Sequence, residues 1–422
     1  MSREAIARSK IISYNGTMYV PRALAPTLTA ALAQFPAVLV TGPRQSGKTT
    51  FLLEEFGSGA RYLSLDDPLE RSLATADPNG FLDRFSDTRV ILDEIQYAPE
   101  LLPYLKVRID RDRQRRGGWL LTGSQQFQLM ANVSESLAGR IALLDLLPFS
   151  LLELPAAAEH ALSSLIWTGW YPDPALHPDK RDLWISSYIQ TYVERDVRQL
   201  LNVHDLRTFE TVLGLCAARH GQELNMADLA RSAGISQPTV RTWINLLEAA
   251  YVIRLLPPYF ENFGKRLIKA PKLYFLDSAL VCALTRQPGA EAALVGAMGG
   301  ALFEGAVVSE ASKVFAIEGR RPDLWFWRSQ GGLEVDLLLS LPAGLVPVEI
   351  KLTATPTLKH AEVLGRFKEL AGRRAAGAGL LVCNIPEPLP LPGENLALPW
   401  RQFSEWLRQQ LRSKGAVAPD PR

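Results

Sequence analysis

The sequence predicts an α/β protein built on a parallel sheet, followed by a helical middle and a second, smaller α/β part. Three observations predict it. Apolar runs of strand length alternate with helix-prone stretches through residues 31–155, the pattern of a parallel sheet. A glycine-bounded loop, Gly42-Pro43-Arg44-Gln45-Ser46-Gly47-Lys48-Thr49-Thr50, joins the first such run, Ala37–Thr41, to the helix-prone segment Thr49–Phe56. Two later strand-like runs, Glu334–Leu339 and Val346–Lys351, each carry a charged pair two residues apart, so both side chains of a pair lie on one face.

The first strand and its loop carry the strongest chemistry. The loop fits G-x-x-x-x-G-K-[ST], a spacing that wraps backbone N–H groups round a polyphosphate at the positive end of a helix. Gly42 and Gly47 permit the close wrap. Lys48 is expected to reach the β- and γ-phosphates, and the Thr49 hydroxyl to ligate Mg²⁺. Pro43, Arg44, Gln45, Ser46 and Thr50 complete the candidate nucleotide-binding set, with Arg44 free to hold phosphate or to contact a neighbouring strand. The bland alternative is an ordinary βα turn with an exposed lysine.

The remaining strands are expected at Arg61–Leu65, Val90–Leu92, Gly118–Thr122 and Ile141–Leu144. The run Val90–Leu92 leads into Asp93 and Glu94. Asp93 is expected to hold Mg²⁺ from one sheet position away, and Glu94 to orient and polarise the attacking water. The next strand ends in hydroxyls, and Thr122 or Ser124 is placed at the γ-phosphate or the catalytic water; a strand-end turn residue is the competing reading. Arg140, in Ser136-Leu137-Ala138-Gly139-Arg140, is a candidate cation for phosphoryl transfer, against a plain surface arginine.

Length and composition bound the rest. The 422 residues suggest two to four domains. With 47% hydrophobic and 21% charged residues the chain is globular, and its net charge of +2 argues neither for nor against nucleic acid. Three scattered cysteines and five dispersed histidines give no disulfide scaffold and no zinc spacing, which fits a reducing cytoplasm. Met1–Lys10 lacks the apolar core of a signal peptide, and no apolar run reaches membrane-spanning length. The organisation expected is a lead-in over 1–30, the nucleotide-binding domain over 31–155, a helical connector over 156–210, a winged helix-turn-helix over 211–260, a small α/β domain over 261–395, and a helix with a disordered tail over 396–422.

The winged helix rests on Met226–Ala230 as one helix, Gly234-Ile235-Ser236 as the turn and Gln237–Leu247 as the second helix. Ser236 is placed to cap the second helix, and Pro238 falls in its first turn. Tyr251–Leu256 is the expected wing strand. The second helix offers Gln237, Thr239, Arg241, Thr242 and Asn245, a single cation among them. DNA or RNA binding and a protein-binding winged helix therefore both stay open.

In the C-terminal part, two hairpin-like strands are expected to bring Asp336, Glu349 and Lys351 together, with Glu304 joining from a helix over Leu302–Phe315. This is a D…E-x-K arrangement, in which Asp336 and Glu349 hold a second Mg²⁺ or Mn²⁺ and Lys351 positions or activates water. A degenerate, non-catalytic version of the same fold and a plain amphipathic strand are the alternatives. The aromatics of Leu324-Trp325-Phe326-Trp327 are read as core packing before base stacking.

In their order these motifs resemble the predicted AAA-type ATPases of bacteria and archaea. The matching residues are Thr41–Thr50, Leu92–Gln96, Leu121–Ser124, Ser136–Arg140, Glu194-Arg195-Asp196-Val197, Gly332–Asp336 and Val348–Lys351. The resemblance implies a P-loop NTPase domain followed by winged-helix and restriction-endonuclease-like parts. It also implies ATP binding and Mg²⁺-dependent hydrolysis at Lys48, Thr49, Asp93 and Glu94, sensing of the γ-phosphate at Thr122 or Ser124, and a basic slot at Arg140 serving its own site or a neighbour's. It leaves the oligomeric state open.

Overall fold

The computed structural model describes residues 12–14, 17–124, 133, 136–154, 160–193, 206–259, 270–329 and 331–413. The Glu194–Val197 motif and the end of the tail, 414–422, lie outside the described residues. The chain divides into two compact units, Met1–Leu154 with Ala316–Arg320, and Pro155–Phe315 with Arg321–Arg422.

The first unit opens with a hairpin of β1 (Ile12–Tyr14) and β2 (Thr17–Tyr19), then α1 (Ala25–Gln34). Its sheet is formed by β3 (Ala37–Thr41), β4 (Ala60–Ser64), β5 (Arg89–Asp93), β6 (Trp119–Thr122) and β7 (Ile141–Asp145). These pair in the order β4-β5-β6-β3-β7, every pair parallel. Each strand lies within a residue of its expected position.

The central strands are apolar at successive positions because both faces are covered. Ala37 and Leu39 of β3 enter one core, together with Leu82, Leu102 and Leu105 from the far side of the sheet. Val38 and Val40 enter the other, with Leu28, Phe51 and Leu52. So α1 and α2 (Lys48–Phe56) cover one face, while α3 (Pro68–Ala76), α4 (Pro78–Asp83) and α5 (Leu101–Arg111) cover the other. One expectation is corrected: β6 lies between β3 and β5, so Asp93 stands two sheet positions from the loop.

The second unit begins with α6 (Leu162–Thr168), α7 (Pro172–Leu176), α8 (Arg181–Tyr188) and a π-helical turn over Ile189–Val193. Next come α9 (Leu206–Ala218), β8 (Gln222–Glu223), α10 (Met226–Ala233), α11 (Gln237–Ala249), β9 (Ile253–Leu256) and β10 (Lys272–Phe275). The Asn225 side chain caps α10 and Ser236 caps α11, and Gly234 closes α10 in the left-handed region. β10 pairs antiparallel with both β8 and β9.

After α12 (Ser278–Leu284), α13 (Ala290–Val295) and α14 (Gly299–Ile317) comes a six-stranded mixed sheet. It consists of β11 (Leu324–Arg328), β12 (Glu334–Leu341), β13 (Gly344–Lys351), β14 (Leu380–Cys383), β15 (Leu389–Leu391) and β16 (Asn395–Pro399), in the order β11-β12-β13-β14-β16-β15. α15 (Leu358–Ala371) puts Phe367 edge-on to Trp327 at 5.2 Å, and Trp325 packs in the same apolar cluster. α16 (Phe403–Arg412) follows β16. Among the described residues, no helix is long and apolar enough to cross a membrane.

Candidate functional site

The loop after β3 sits where neighbouring connections diverge, since β3 is followed in sequence by β4 at the far edge of the sheet. Ligands of open α/β sheets bind in such a crevice, beyond the carboxyl ends of the strands. The sequence folds the loop through two left-handed residues, Gln45 at φ 60° and Gly47 at φ 87°. At Gly42, φ is 143° and an added Cβ would lie 2.2 Å from the Leu146 carbonyl oxygen, so a side chain there would force the loop off β7's extension.

Lys48 opens α2 and is buried. Its Nζ donates to the carbonyls of Pro43 at 2.8 Å and Gly42 at 3.1 Å, folding the side chain back over the loop. Burial pushes its pKa down to about 8, against the pull of the Glu94 and Asp93 charges. This is no exposed turn lysine.

Thr49 Oγ1 donates to Asp93 at 2.8 Å (Oδ2) and 3.0 Å (Oδ1). Tyr62, on β4, donates to Asp93 Oδ2 at 3.0 Å, and Thr122 donates to Oδ1. Burial and the Asp93 charge raise the Tyr62 pKa, which keeps its hydroxyl a donor. A hydroxyl and a carboxylate in direct contact are the hard oxygen donors that Mg²⁺ takes alongside phosphate and water. The residues therefore fit the ion.

Glu94 takes φ 57°, ψ 50°, an uncommon conformation for a residue with a side chain. Its backbone N–H donates to Thr122 Oγ1 at 2.9 Å. Its Oε2 accepts from Ser124 Oγ at 3.2 Å and from Gln96 Nε2. The strained turn and the two donors aim the carboxylate away from β5's own axis.

Thr122 donates to Asp93 and accepts from the Glu94 N–H, at the end of the strand that pairs with β3. One expectation needs correction. Arg140 lies at the other end of the sheet. Ala37 pairs with Ile141 and Thr41 with Asp145, so the loop end of β3 is about four residues, roughly 13 Å, from Arg140. Both Nε and Nη2 of Arg140 donate to Asp110 at 2.9 Å. It cannot serve the phosphate loop of its own chain.

Sequence reasoning missed several partners. Gln96 carries no role of its own in the Leu92–Gln96 motif, yet its Nε2 donates to Glu94 Oε2. Tyr62 stands in an ordinary-looking strand, and only β4–β5 pairing brings it to Asp93.

The second unit gathers the other candidate residues. Leu337 faces Val348 across β12 and β13, which sets Asp336 opposite Glu349. Lys351 Nζ lies 3.0 Å from Asp336 Oδ2 and 2.8 Å from Glu349 Oε1. Burial first, and then the Asp336 charge, push Glu349 up to about 7; the same two causes raise Glu304. Glu304 reaches the group from α14, but its Oε1 is taken by Lys272 at 3.2 Å and by Tyr274. Lys272 also holds Glu334 at 2.6 Å.

So the structure brings Glu304, Asp336, Glu349 and Lys351 into one electrostatic cluster, with Lys272 and Tyr274 as partners the sequence did not suggest. The cation seated between Asp336 and Glu349 is the Lys351 ammonium. Among the described residues, no group of three or more acidic, histidine or cysteine side chains is disposed to hold a metal ion. Glu349 Oε2 is buried without a hydrogen-bond partner.

Comparison with known proteins places these parts. Residues 34–154 match a family model described as an AAA domain. Residues 159–291 and 299–403 match models described as domains of unknown function, DUF8612 and DUF4143. The uncharacterized protein Rv2008c of Mycobacterium tuberculosis is 34% identical over 354 residues, covering 81% of this chain and 76% of its own. Mb2031c of Mycobacterium bovis matches with the same values. Among solved structures, the Walker-type ATPase paby2304 of Pyrococcus abyssi is similar at TM-score 0.40 and 14% identity, over 62% of this chain and 94% of that one.

Proposed function

The chain belongs to one family with these two mycobacterial proteins and carries an AAA-type P-loop domain, and from that premise we propose that it is a Mg²⁺-dependent ATPase acting as a nucleotide-driven switch or motor. The observation that carries this is the contact of Thr49 with Asp93, 2.8 Å apart, beside a buried Lys48.

The residues divide the work. Backbone N–H groups of residues 44–49 cradle the phosphates, and Lys48 leaves its carbonyl partners for the β- and γ-oxygens. Thr49 and Asp93 are the residues that would hold Mg²⁺, which when bound neutralises charge on the phosphates. Glu94, steered by Gln96 and Ser124, takes the position from which a carboxylate orients water. Tyr62 and Thr122 hold Asp93 in place through their hydroxyls. Filling and emptying of the γ-phosphate position is the signal that alternates the loop between ordered states.

The test uses the purified full chain. Lys48→Ala should abolish ATP binding, and Glu94→Gln should bind ATP but hydrolyse it at least about a hundredfold more slowly. Normal turnover in Glu94→Gln removes that residue from its role. A folded wild-type protein without affinity for adenine or guanine nucleotides, with any divalent ion, ends the reading.

A second reading concerns the other unit. The order α9-β8-α10-α11-β9-β10 supports a winged helix, whose α11 exposes Gln237, Arg241, Thr242 and Asn245; its partner is DNA, RNA or a protein. The unpartnered, buried Oε2 of Glu349 supports a divalent cation, Mg²⁺ or Mn²⁺, at Asp336 and Glu349, and with it ATP-regulated cleavage of nucleic acid. Plasmid cut in the presence of Mg²⁺ or Mn²⁺ by the wild type but not by Asp336→Ala would support this. Absence of cutting leaves the second unit as a non-catalytic interaction module under control of the ATPase.

A further inference from the structure

Arg22 precedes α1 and carries no motif, yet it is buried against the phosphate loop. Its Nη1 donates to the Ser46 carbonyl at 2.8 Å, and its Nη2 to the Leu147 carbonyl at 2.6 Å. Its Nε donates to Glu153 Oε1 at 2.9 Å, and the guanidinium lies over the Phe149 ring, 5.0 Å from its centre. Glu153 is fully engaged in turn. It accepts from Ala23 N at 2.8 Å and from Ser150 N at 2.9 Å. The pair is thus buried, hydrogen-bonded on both sides and fixed in direction, the condition under which a buried charge is tolerated.

The bond to Ser46 has a specific geometric effect. In a trans peptide the carbonyl and the following N–H point in opposite directions. A Ser46 carbonyl tied to Arg22 therefore turns the Gly47 N–H away from Arg22. The peptide between them is one that local sterics do not hold, because Gln45 and Gly47 on either side of Ser46 both have positive φ, 60° and 87°. A glycine in that conformation can rotate its peptide at little cost. The hold on it comes from outside the loop.

We infer that Arg22 is a positioning residue for the nucleotide: through the Ser46 carbonyl it fixes the peptide whose N–H faces the polyphosphate. The inference rests on the ATPase reading and adds a residue outside the loop motif to it. The effect is on the phosphates, so inorganic triphosphate should report it as well as ATP. Glu153 anchors the far side of the guanidinium but does not touch the loop carbonyl, which makes it the control.

The experiment compares full-length wild type, Arg22→Gln, Arg22→Lys and Glu153→Gln by melting temperature, by Kd for Mg-ATP and for inorganic triphosphate, and by KM and kcat. Arg22→Gln should weaken both ligands about ten- to hundredfold, the worth of one charge-assisted backbone hydrogen bond. Arg22→Lys, which keeps a donor for Ser46, should recover part of that loss. Glu153→Gln should lower the melting temperature as Arg22→Gln does while binding both ligands within about threefold of wild type. Wild-type affinity in Arg22→Gln, or equal losses in Arg22→Gln and Glu153→Gln, overturns the inference while leaving the ATPase reading standing. Should Arg22→Gln not fold, wild-type-like Kd values in Glu153→Gln beside a weakened Arg22→Lys support it, and unchanged binding in Arg22→Lys overturns it. Wild type that binds no triphosphate overturns both.

Discussion

Thr49 and Asp93 share a hydrogen bond, Oγ1 to Oδ2 at 2.8 Å, although β3, which leads into the helix of Thr49, and β5, which ends in Asp93, are separated by β6. The helix after β3 brings the hydroxyl across the carboxyl end of β6. Asp93 is therefore the acceptor for three hydroxyls, those of Thr49, Tyr62 and Thr122.

Asp93→Asn removes the anionic acceptor of all three. Its affinity for Mg-ATP is expected to fall about tenfold or more, while affinity for ATP in EDTA stays near the wild-type value. Thr49→Ala should behave the same way. Isothermal titration with and without Mg²⁺ checks this. An equal loss in EDTA would mean that the pair shapes the loop and does not hold the ion.

Lys48 gives a pH dependence with a definite sign. Burial pushes its pKa down to about 8, and phosphate oxygens favour its charged form. Below pH 8 the amine is charged with or without nucleotide. Above it, binding must take up a proton, so ATP affinity should fall as pH rises, approaching about tenfold per pH unit. The depressed pKa also means that the folded state holds fewer protons than the unfolded state between about 8 and 10.5, so Lys48 destabilises the folded state below pH 8. Lys48→Met is expected to melt higher than wild type at pH 7 while losing nucleotide binding.

His220 sets an acid limit. It is buried, its Nδ1 accepts from Phe275 N at 3.0 Å, and burial pushes its pKa down to about 4. Between the ordinary value of 6.5 and 4 the unfolded chain takes up a proton that the folded chain refuses. Stability should be full above pH 6.5 and fall as pH drops through this window. His220→Gln keeps an acceptor but not the proton, so its melting temperature should vary less over the same range. An unchanged acid slope would place the sensitive group elsewhere.

Glu349 has the opposite sign. With its pKa raised from 4.5 to about 7, the folded chain holds a proton that the unfolded chain has lost. Stability should decline as pH rises from 4.5 to 7 and stay low above it. Glu349→Gln should melt higher than wild type at pH 8 and lose that slope. Mn²⁺ at pH 8 should raise the wild-type melting temperature and leave Asp336→Ala unmoved; equal shifts in both would put the ion somewhere else.

The sheet was legible because its three central strands are buried on both faces and its strands are bounded by glycine, proline and acidic turns. Each of β3 to β7 can be read from its own residues. The loop was legible for a similar reason, since its chemistry is contiguous from Gly42 to Thr50. Sequence could not show that β6 inserts between β3 and β5, because strand order depends on how helices cover the faces. That one fact puts Asp93 two sheet positions from the loop, with the strand ending in Thr122 between them. Arg140 failed for want of direction: a basic residue before a strand lies at the end opposite a loop that follows one. In the second unit, β9 was expected as a wing, but β10, which pairs on both sides, follows a gap of fifteen residues and carried no signal. Lys272 on that strand meets Glu304 from 32 residues away, a pairing visible only in three dimensions.

The Lys48 amine rests on two carbonyls of its own loop. Those two bonds clasp the loop through its own lysine. Its shape is set when the domain folds, and an arriving triphosphate has only to outbid two neutral oxygens for one ammonium group. Capture then begins with the swing of a single side chain.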